Sequence, residues 1–447
     1  MDTQEPISDL DPSQPLSIDE AMQLATRLHR SGRRSTAYEI YRRVLTLMPE
    51  HPDALHFMGL LANEQGSHAD AIRLMAHSVD LVPEHAGYRT NFGTVLAAAG
   101  RFEEAEQQYR VALTLDPDRP DALNDLAVLC GAMERFADAE QLLVHLLGLY
   151  SDFTDARHNL ARLYLRLGRI DEALAQGCEA IVRDPNSAPA REILGYAYCK
   201  LGRFDDAARV YHDWLVHEPN DPRARYLLAA CTGESVPPRA PDAYVRAEFD
   251  GFAESFDRRL AMLGYRAPAL TAAALTTRLG AGKADLEVLD AGCGTGLCAP
   301  LLKPFAARLT GVDLSAGMLA KARARRLYDA LAQAELTDFM RGCQSAFDII
   351  VSADTLVYFG ALDEALLTAA LALRPGGLLC FTLEALAEGE MGDYCLHHQG
   401  RFAHADGYVR TQAGQSGLIM LGCEPEVLRR EGAELVRGWV VLMQKPA

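Results

Sequence analysis

Apolar and polar residues follow a helical period through the first half of the chain, and the whole pattern repeats every 34 residues. In most units a proline ends the pattern, an alanine stands twelve positions earlier, and a glycine stands five positions before that alanine. Small residues let paired helices approach closely, and proline ends a helix because it lacks the backbone N–H. The pattern predicts six helical hairpins and a capping helix over residues 18–231. The ending residues are Pro49, Pro83, Pro117, Ser151, Pro185 and Pro219.

Units such as residues 100–117 and 202–219 resemble the tetratricopeptide repeat. The resemblance implies an α-solenoid whose concave groove binds a protein or a peptide. At one shared position of successive first helices stand Asn91, Asp125 and Asn159. In the family this position often faces the groove, where an amide can bridge the backbone of an extended peptide. Ordinary solvated helix residues are the alternative interpretation.

The pattern changes after residues 232–246, a proline-rich polar stretch that we interpret as a linker. Residues 247–447 contain short β-rich runs that alternate with helical patterns, one of which extends over residues 315–331. Strand and helix in alternation predict an α/β domain in which helices cover both faces of a parallel sheet. Ligands of such sheets bind at the carboxyl ends of the strands. The predicted strands are 286–290, 308–313, 347–354 and 376–384.

The first of these strands ends at Asp290, and Gly292, Gly294 and Gly296 follow it. Such a turn lets a nucleotide lie against bare backbone, although no further glycine completes the dinucleotide pattern G-x-G-x-x-G. A carboxylate at position 290 would repel a pyrophosphate but attract an ammonium group. Asp313 ends the next strand, where a carboxylate can bind both ribose hydroxyls. The pattern favours a nucleotide that carries an ammonium group over a dinucleotide.

Residues 288–323 resemble motifs I and II of class I S-adenosylmethionine-dependent methyltransferases. Residues 347–359 and 373–384 resemble the fourth and fifth strands of those enzymes. The resemblance covers roughly residues 247–444. It implies a Rossmann-like seven-stranded methyltransferase domain with S-adenosyl-L-methionine as its cofactor.

The same resemblance implies roles for individual residues around the cofactor. Asp290 would orient the methionine ammonium group, directly or through water, and the three glycines would let the backbone approach the methionine and the ribose. Asp313 would bind the ribose. Leu314 and Met318 would pack on or near the adenine.

The remaining residues implied by the resemblance match the family motifs less closely. Glu335 is the best match for a contact with the adenine amino group, and Asp338 is the alternative. Asp354 and Tyr358 follow the fourth strand, at the usual floor of the methyl-transfer site, although the first could cap a turn and the second could be a core residue. Arg266 could pair with the carboxylate of the cofactor.

Two further segments, residues 247–270 and 401–410, resemble predicted tetratricopeptide-containing methyltransferases close to the small-acid and biotin-precursor groups. In those relatives the N-terminal helix closes over the cofactor. Phe249, Phe252 and Phe256 recur at helical spacing and could form such a lid, where an aromatic face suits a sulfonium cation. Core packing explains the same three residues equally well.

Three histidines and one glutamate are the candidates for contact with the methyl acceptor. A carboxylate acceptor needs no base, whereas a hydroxyl or an amine must lose its proton. His404 is the first candidate for that contact, with His397, His398 and Glu384 beside it, although a hydrogen-bonded structural histidine is an alternative. Residues 397–404 contain no cysteine or acid at ligand spacing, so we expect no metal.

Charge and composition limit the classes of binding partner and the cellular compartment that we expect. The formal net charge of −17 repels phosphate backbones and anionic lipids, so we expect no nucleic-acid or membrane partner. Residues 1–17 are acidic and proline-rich, which predicts a disordered lead rather than a secretory signal. The ten cysteines are scattered without a C-x-x-C pair, which is typical of reduced thiols in a cytoplasmic protein.

These patterns predict a two-domain methyltransferase whose solenoid docks a protein. The methyl acceptor would be that protein, or a small molecule that it presents. The alternative is a scaffold protein whose second domain binds the cofactor without catalysis. The sequence leaves open the acceptor atom, which can be oxygen, nitrogen or carbon.

Overall fold

The computed structural model describes residues 16–253, 256–431 and 434–447. The chain divides into two compact units, one up to Gln176 and one from Gly177. Most of the predicted disordered lead lies outside the described residues. Ser17, at its end, caps the first helix with its side chain and forms a capping box with Glu20.

Antiparallel helix pairs build the first unit, and its boundary with the second unit falls inside the tenth helix. Each odd-numbered helix begins 34 residues after the previous one, so the predicted repeats are confirmed. The helices are α1 (Ile18–Arg30), α2 (Arg34–Leu47), α3 (Pro52–Glu64), α4 (His68–Leu81), α5 (Ala86–Ala98), α6 (Phe102–Leu115), α7 (Pro120–Ala132), α8 (Phe136–Leu149), α9 (Thr154–Arg166) and α10 (Ile170–Arg183).

Small residues in the first helix of a repeat face large residues in the second helix. A Cβ atom added at Gly93 would lie 2.6 Å from the ring of Tyr109, which is almost completely buried. A Cβ atom added at Gly59 would likewise lie 2.5 Å from Cγ of Met75. The two helices of a repeat can approach this closely because the glycine has no side chain.

A recurring arginine, which the sequence analysis did not single out, ties each of several repeats to the turn before it. Arg89 Nε donates to the carbonyl oxygen of Pro83 at 2.7 Å, and Arg157 Nη2 donates to that of Ser151 at 2.8 Å. The acceptor is a backbone carbonyl, so serine can replace proline at position 151 without loss of the hydrogen bond.

The polar residues predicted for the groove are hydrogen-bonded between successive repeats. The amide of Asn91 lies 3.0 Å from His56 Nε2, and Asn159 donates to Asn124 Oδ1 at 2.9 Å. Asp125 accepts from a threonine of the preceding repeat at 2.9 Å. These side chains help to hold neighbouring repeats together, and a contact with a bound peptide stays a prediction.

The second unit contains the last helix pair, one further helix and the α/β portion. Its helices are α11 (Ala188–Lys200), α12 (Phe204–His217), α13 (Pro222–Thr232), α14 (Asp242–Phe252), α15 (Phe256–Met262), α16 (Ala267–Leu279), α17 (Ala299–Leu302), α18 (Ala316–Ala324), α19 (Leu336–Arg341), α20 (Asp363–Ala372) and α21 (Asp406–Gln415). Its strands are β1 (Leu286–Ala291), β2 (Ala306–Asp313), β3 (Ala330–Gln333), β4 (Phe347–Ser352), β5 (Leu373–Ala385), β6 (Tyr394–Leu396), β7 (Phe402–His404), β8 (Ile419–Glu431) and β9 (Glu434–Gln444).

Five parallel strands in the order β3-β2-β1-β4-β5 form one side of the sheet. The antiparallel strand β9 follows β5, and β8 pairs with β9, which completes the predicted seven strands. The short hairpin of β6 and β7 adds to the end of β5. The predicted Rossmann-like α/β architecture is confirmed.

Side chains that alternate along the strands form a core on each face of the sheet. Leu289 and Ile350 belong to the cluster on one face, whereas Val288 and Ile349 belong to the cluster on the other. Both faces are apolar because helices cover both of them, as expected for a parallel sheet.

The predicted helix over residues 315–331 is wrong in its second half. Helix α18 ends at Ala324, Arg326 adopts a left-handed conformation with φ of 56°, and residues 330–333 form β3. Asp329 fixes the start of this strand, since its N–H donates to Leu309 O at 2.9 Å and its carboxylate accepts from Leu309 N–H at 2.8 Å. Pairing with β2 outweighs the helical propensity of this alanine-rich segment.

The stretch predicted as a linker contacts the α/β portion. The N–H of Ala240 donates to Tyr358 O at 2.8 Å, and Gly360 N–H donates to Pro238 O at 2.8 Å. Helix α14 begins before the stretch ends. The domain boundary at residues 232–246 stays a prediction.

Among the described helices, none has the length and apolar character that crossing a bilayer requires. All ten cysteines lie within the described residues, and each is free.

Replacing Gly93 with Ala should lower the free energy of unfolding by about 1–3 kcal/mol, because the new methyl group overlaps the buried Tyr109 ring. Gly148→Ala is the control, since a Cβ at this helical glycine meets nothing within 4 Å. We expect it to be neutral or to stabilise the fold by about 0.5–1 kcal/mol. Urea denaturation followed by circular dichroism measures both, and equal midpoints for the two variants would contradict the packing argument.

Candidate active site

A cavity of about 270 Å³ opens at the carboxyl ends of β1, β2 and β4. The strand order reverses between β1 and β4, which is where open α/β sheets bind their ligands. Of the residues predicted for the site, those that line this cavity are Gly292, Gly294, Asp313, Leu314, Glu335, Asp354 and Tyr358.

The glycine loop after β1 combines close packing with one exposed stretch of backbone. All three glycines have positive φ angles, of 78°, 53° and 86°. A Cβ at Gly292 would lie 2.1 Å from Thr355 Oγ1, and one at Gly296 would lie 3.0 Å from the ring of Tyr328. A Cβ at Gly294 would meet no atom closer than 3.9 Å. Gly294 therefore presents bare backbone to the cavity, while Gly296 serves packing behind it.

Asp313 lies at the end of β2 with its carboxylate fixed by two backbone groups. Its Oδ2 accepts from Gly294 N–H at 2.8 Å, and its Oδ1 accepts from Ser315 N–H at 2.9 Å. Burial raises the pKa of Asp313, and these N–H donors oppose the shift. Leu314 lines the cavity beside it, whereas Met318 is fully buried and does not reach the cavity.

Asp290 is buried two residues before the glycine loop. Its Oδ2 accepts from the hydroxyl of Tyr328 at 2.5 Å, and its Oδ1 has no hydrogen-bond partner among the described residues. Burial raises the pKa of Asp290 to about 7. A buried carboxylate oxygen without a partner is costly, so this atom fits the predicted contact with an ammonium group or a water molecule.

Glu335 follows β3 and lines the cavity, but part of its carboxylate is already used. Its Oε2 accepts from Asp338 N–H at 2.9 Å and from Thr337 Oγ1 at 2.5 Å, which caps α19. Its Oε1 lies 3.9 Å from Arg239 Nη1. Asp338, the alternative candidate, has a 71% exposed side chain and lies outside the cavity lining.

Asp354 and Tyr358 form the floor of the cavity after β4. Asp354 has a left-handed backbone with φ of 54°, and its N–H donates to Thr382 Oγ1 at 2.8 Å. Such a conformation persists in a residue other than glycine only when its surroundings hold it in place. Burial raises the pKa of Tyr358, and the ring of Phe249 meets its ring edge-on at 5.5 Å.

A buried ion network, most of which the sequence analysis missed, forms one end of the cavity. Arg429 donates to Asp354 at 2.8 Å, to Glu431 at 2.9 Å and to Glu384. Arg401 donates to Glu384 at 2.7 Å and to Glu431 at 2.6 Å. Two guanidinium groups thus face three carboxylates. Except for Arg429 and Glu431, the pairs join segments that are distant in sequence, so no local motif indicates them.

Two predicted site residues lie elsewhere. His404 is completely buried, with Nε2 at 3.2 Å from Gly360 O, and burial lowers its pKa to about 4. Arg266 donates to Val427 O at 3.1 Å and lies 3.3 Å from Glu426. Neither residue lines the cavity. The side chain of His404 packs among aromatic rings, and that of Arg266 is held at β8.

Helix α14 and the start of α15 cover the cavity with aromatic rings. Phe249 and Phe256 meet edge-to-face at 5.9 Å, and both line the cavity. The side chain of Phe252 lies outside the described residues. Glu248 and Tyr265 also line the cavity and were missed, because nothing in their local sequence distinguishes them from core or surface residues. Burial raises the pKa of both side chains.

Comparison with known families agrees with this geometry. A model of the methyltransferase domain matches residues 289–381, which contain the glycine loop, Asp313 and Asp354. A model of the tetratricopeptide repeat matches residues 96–148, 132–176 and 179–231. The chain carries tetratricopeptide repeats and a methyltransferase domain.

Curated relatives match the methyltransferase domain. Methyltransferase-like protein 27 of Homo sapiens is 38% identical over 149 residues, which are 32% of this chain and 59% of that protein. Malonyl-(acyl-carrier protein) O-methyltransferase of Enterobacter lignolyticus is 36% identical over 112 residues, 25% of this chain and 44% of that protein. Ubiquinone biosynthesis O-methyltransferase of a Chelativorans species is 30% identical over 151 residues, 30% of this chain and 59% of that protein. The chain spans about half the length of these relatives.

Solved structures resemble the repeats only weakly. PilW, a type IV pilus biogenesis factor, is 18% identical with a TM-score of 0.45 and covers 48% of this chain and 100% of its own. A thermophilic tetratricopeptide protein of Thermus thermophilus is 24% identical with a TM-score of 0.37 and covers 41% of this chain and 100% of its own.

The helix after the last repeat contacts the turn that carries Arg401 into the cavity of the methyltransferase domain. The hydroxyl of Tyr226, in α13, donates to Gly400 O at 2.9 Å, and both groups are buried. Gly400 has a φ of 75°, and a Cβ there would lie 2.2 Å from the hydroxyl of Tyr244. The turn before Arg401 is therefore held from two sides, by α13 and by α14.

Tyr226→Phe should loosen this turn without removing the aromatic ring. The carbonyl of Gly400 would lose a hydrogen bond worth about 0.5–1.5 kcal/mol, so amide exchange over residues 394–404 should become roughly two- to twelve-fold faster. Exchange in β1 and β2 should not change. Tyr196→Phe, at an exposed tyrosine of α11, is the control. Hydrogen–deuterium exchange with mass spectrometry compares both variants with the wild type. Unchanged exchange over residues 394–404 in Tyr226→Phe would show that the hydroxyl does not hold the turn.

Proposed function

We propose that this protein is an S-adenosyl-L-methionine-dependent methyltransferase whose repeats dock a protein. The acceptor is that protein, or a small molecule that it presents. The observation that carries the proposal is the meeting of two features at one cavity, the bare backbone of Gly294 and the fixed carboxylate of Asp313. The unpartnered oxygen of the buried Asp290, two residues before the glycine loop, lies behind them.

The residues at this end of the cavity, and the buried Asp290 behind the glycine loop, suit the parts of the cofactor. Asp313 would accept hydrogen bonds from the ribose hydroxyls, and Asp290 would accept from the ammonium group, directly or through water. Gly292 and Gly294 would admit the methionine and ribose to the backbone. Leu314 and Glu335 would contact the adenine.

The cofactor, when bound, supplies a methyl group that its positive sulfur has already activated. The protein then has to hold the acceptor atom in line with the methyl carbon at about 3–3.5 Å and to exclude water. Phe249 and Phe256 cover this part of the cavity with rings whose faces attract a sulfonium cation. Tyr358 and Asp354 form the floor of the same cavity, where the acceptor would bind.

We infer that oxygen is the acceptor atom. Two of the relatives named above are O-methyltransferases by name. A carboxylate oxygen would need no base, and the guanidinium of Arg401 at the cavity wall could hold it. A hydroxyl would have to lose its proton, and Glu248 could accept it because burial raises the pKa of that carboxyl.

The repeats suggest how an acceptor reaches the site. Tetratricopeptide repeats bind proteins through their concave surface. The helix that follows them touches the turn carrying Arg401, as described above. A protein or peptide held in the groove is therefore our proposed partner.

Asp313→Ala should weaken S-adenosyl-L-methionine binding about ten- to a hundred-fold, because hydrogen bonds to a charged group contribute about 1.5–3 kcal/mol. The control is Asp338→Ala, which removes an exposed carboxylate that lies outside the cavity lining. Isothermal titration calorimetry measures both affinities. Unchanged affinity in Asp313→Ala would refute the assignment of the cofactor site, and binding without methyl transfer to any acceptor would favour a scaffold.

The pH dependence of cofactor binding should report on Asp290. The pKa of this carboxyl is raised to about 7, so below that pH the group is protonated and cannot attract an ammonium group. Affinity should fall up to roughly twenty-fold between pH 7.5 and pH 5.5, since the free protein must first lose this proton. In Asp290→Asn the affinity at pH 7.5 should be lower, and its decline over this interval should disappear. A decline that persists in Asp290→Asn would assign it to another group.

A further inference from the structure

Three metal-ligating side chains of different kinds converge outside the cavity. They belong to Glu390, Cys395 and His397, and their ligand atoms all lie within 4.8 Å of one another. None of the three lines the cavity, so the proposed cofactor site does not account for them.

Local structure brings the three groups together. Cys395 lies in β6, and His397 follows it by two positions, so strand alternation places both side chains on one side. Glu390 ends a turn in which its N–H donates to Ala387 O at 3.1 Å. The Ala387 N–H donates back to Glu390 Oε2 at 2.7 Å. This second bond orients the carboxylate and leaves Oε1 directed at His397.

The distance between the imidazole and the carboxylate suits two ligands of one metal ion. His397 Nε2 lies 3.4 Å from Glu390 Oε1, yet this buried nitrogen has no hydrogen-bond partner among the described residues. Two ligands of a tetrahedral zinc ion, at about 2.0–2.2 Å from the metal, lie roughly 3.3–3.5 Å apart. The pair is thus separated as neighbouring ligands are, without the geometry of a hydrogen bond.

We propose that Glu390, Cys395 and His397 form a zinc-binding site with one open coordination position. A mixed set of sulfur, nitrogen and oxygen donors is typical of zinc. Calcium and magnesium prefer oxygen donors alone. The carboxylate and the thiolate together balance the charge of a divalent cation.

The sequence prediction of no metal considered His397, His398 and His404 without the residues before them. Of the three considered, His398 contacts the ring of Phe204 at 4.7 Å and His404 is buried among aromatic rings. Only His397 of the three belongs to the cluster. The cysteine and the acid that complete it lie just upstream of the segment that was considered.

A metal at this position would act on the turn before Arg401. The N–H of His397 donates to Arg401 O at 2.9 Å, and Gly400 N–H donates to His397 O at 2.8 Å. Fixing the imidazole would fix this turn at its first residue. The bound metal would join the turn at Ala387–Glu390 to the β6–β7 hairpin.

The test uses the full-length protein, purified with a chelator and then titrated with Co²⁺ and afterwards with Zn²⁺. We expect uptake of one Co²⁺, with visible bands of tetrahedral cobalt and a near-ultraviolet band from thiolate to metal, all bleached by one equivalent of Zn²⁺. Cys395→Ser should abolish the thiolate band, and His397→Gln should weaken Co²⁺ binding at least ten-fold. Failure of the wild-type protein to bind either ion would overturn the proposal.

Other cysteines provide the controls. Cys178 is exposed, and Cys231 Sγ lies 3.5 Å from Cys199 Sγ, which makes that pair the chief competing thiol site. Cys178→Ser and Cys231→Ser should bind Co²⁺ as the wild type does. A thiolate band that survives Cys395→Ser, or that disappears in Cys231→Ser, would place the metal elsewhere and refute the site. S-adenosyl-L-methionine affinity, measured on Cys395→Ser, reports on the proposed function separately and should not change.

Discussion

The cavity of the methyltransferase domain depends on the burial of one guanidinium group. Arg429 is only 5% exposed and donates to carboxylates from the loop after β4, from β5 and from its own strand β8. A charge buried in this way is tolerable only while each of its partners stays in place, and removing one partner of such a network costs about 3–5 kcal/mol. Asp354, which accepts one of these bonds, is held with its backbone in the left-handed region.

The same network links the floor of the cavity to the repeats. Arg401 shares Glu384 and Glu431 with Arg429, and its turn is held by Tyr226 of the helix after the last repeat. The last repeat and the methyltransferase domain accordingly belong to one compact unit. A protein that binds this end of the solenoid and shifts α13 would act on a residue of the cavity wall through the Tyr226 hydrogen bond and through the packing of Tyr226 against Phe402.

Features fixed by local physics could be predicted from the sequence. The 34-residue period sets helix length and turn position, so the helix pairs of the solenoid could be predicted from it. Gly294 was identified because a tight turn with bare backbone favours glycine, and Asp313 because a carboxylate at this strand end can bind ribose hydroxyls. Pairing between distant segments could not be predicted in this way. Strand β3 exists because Asp329 meets Leu309, and the Arg429 network exists because β5 and β8 bring their acids together.

A buried polar atom without a hydrogen-bond partner can mark a ligand site or can belong to ordinary packing, and its surroundings decide between the two. Asp290 Oδ1, His397 Nε2 and His404 Nδ1 all lack a hydrogen-bond partner among the described residues. The first belongs to a residue just before the bare backbone of the glycine loop, and the second faces a carboxylate and a thiol, so each has somewhere to receive a ligand. His404 lies among the rings of Tyr394 and Tyr408, where nothing polar could arrive. The neutral imidazole tolerates this environment because burial already lowers its pKa to about 4, and the same burial removes it from chemistry.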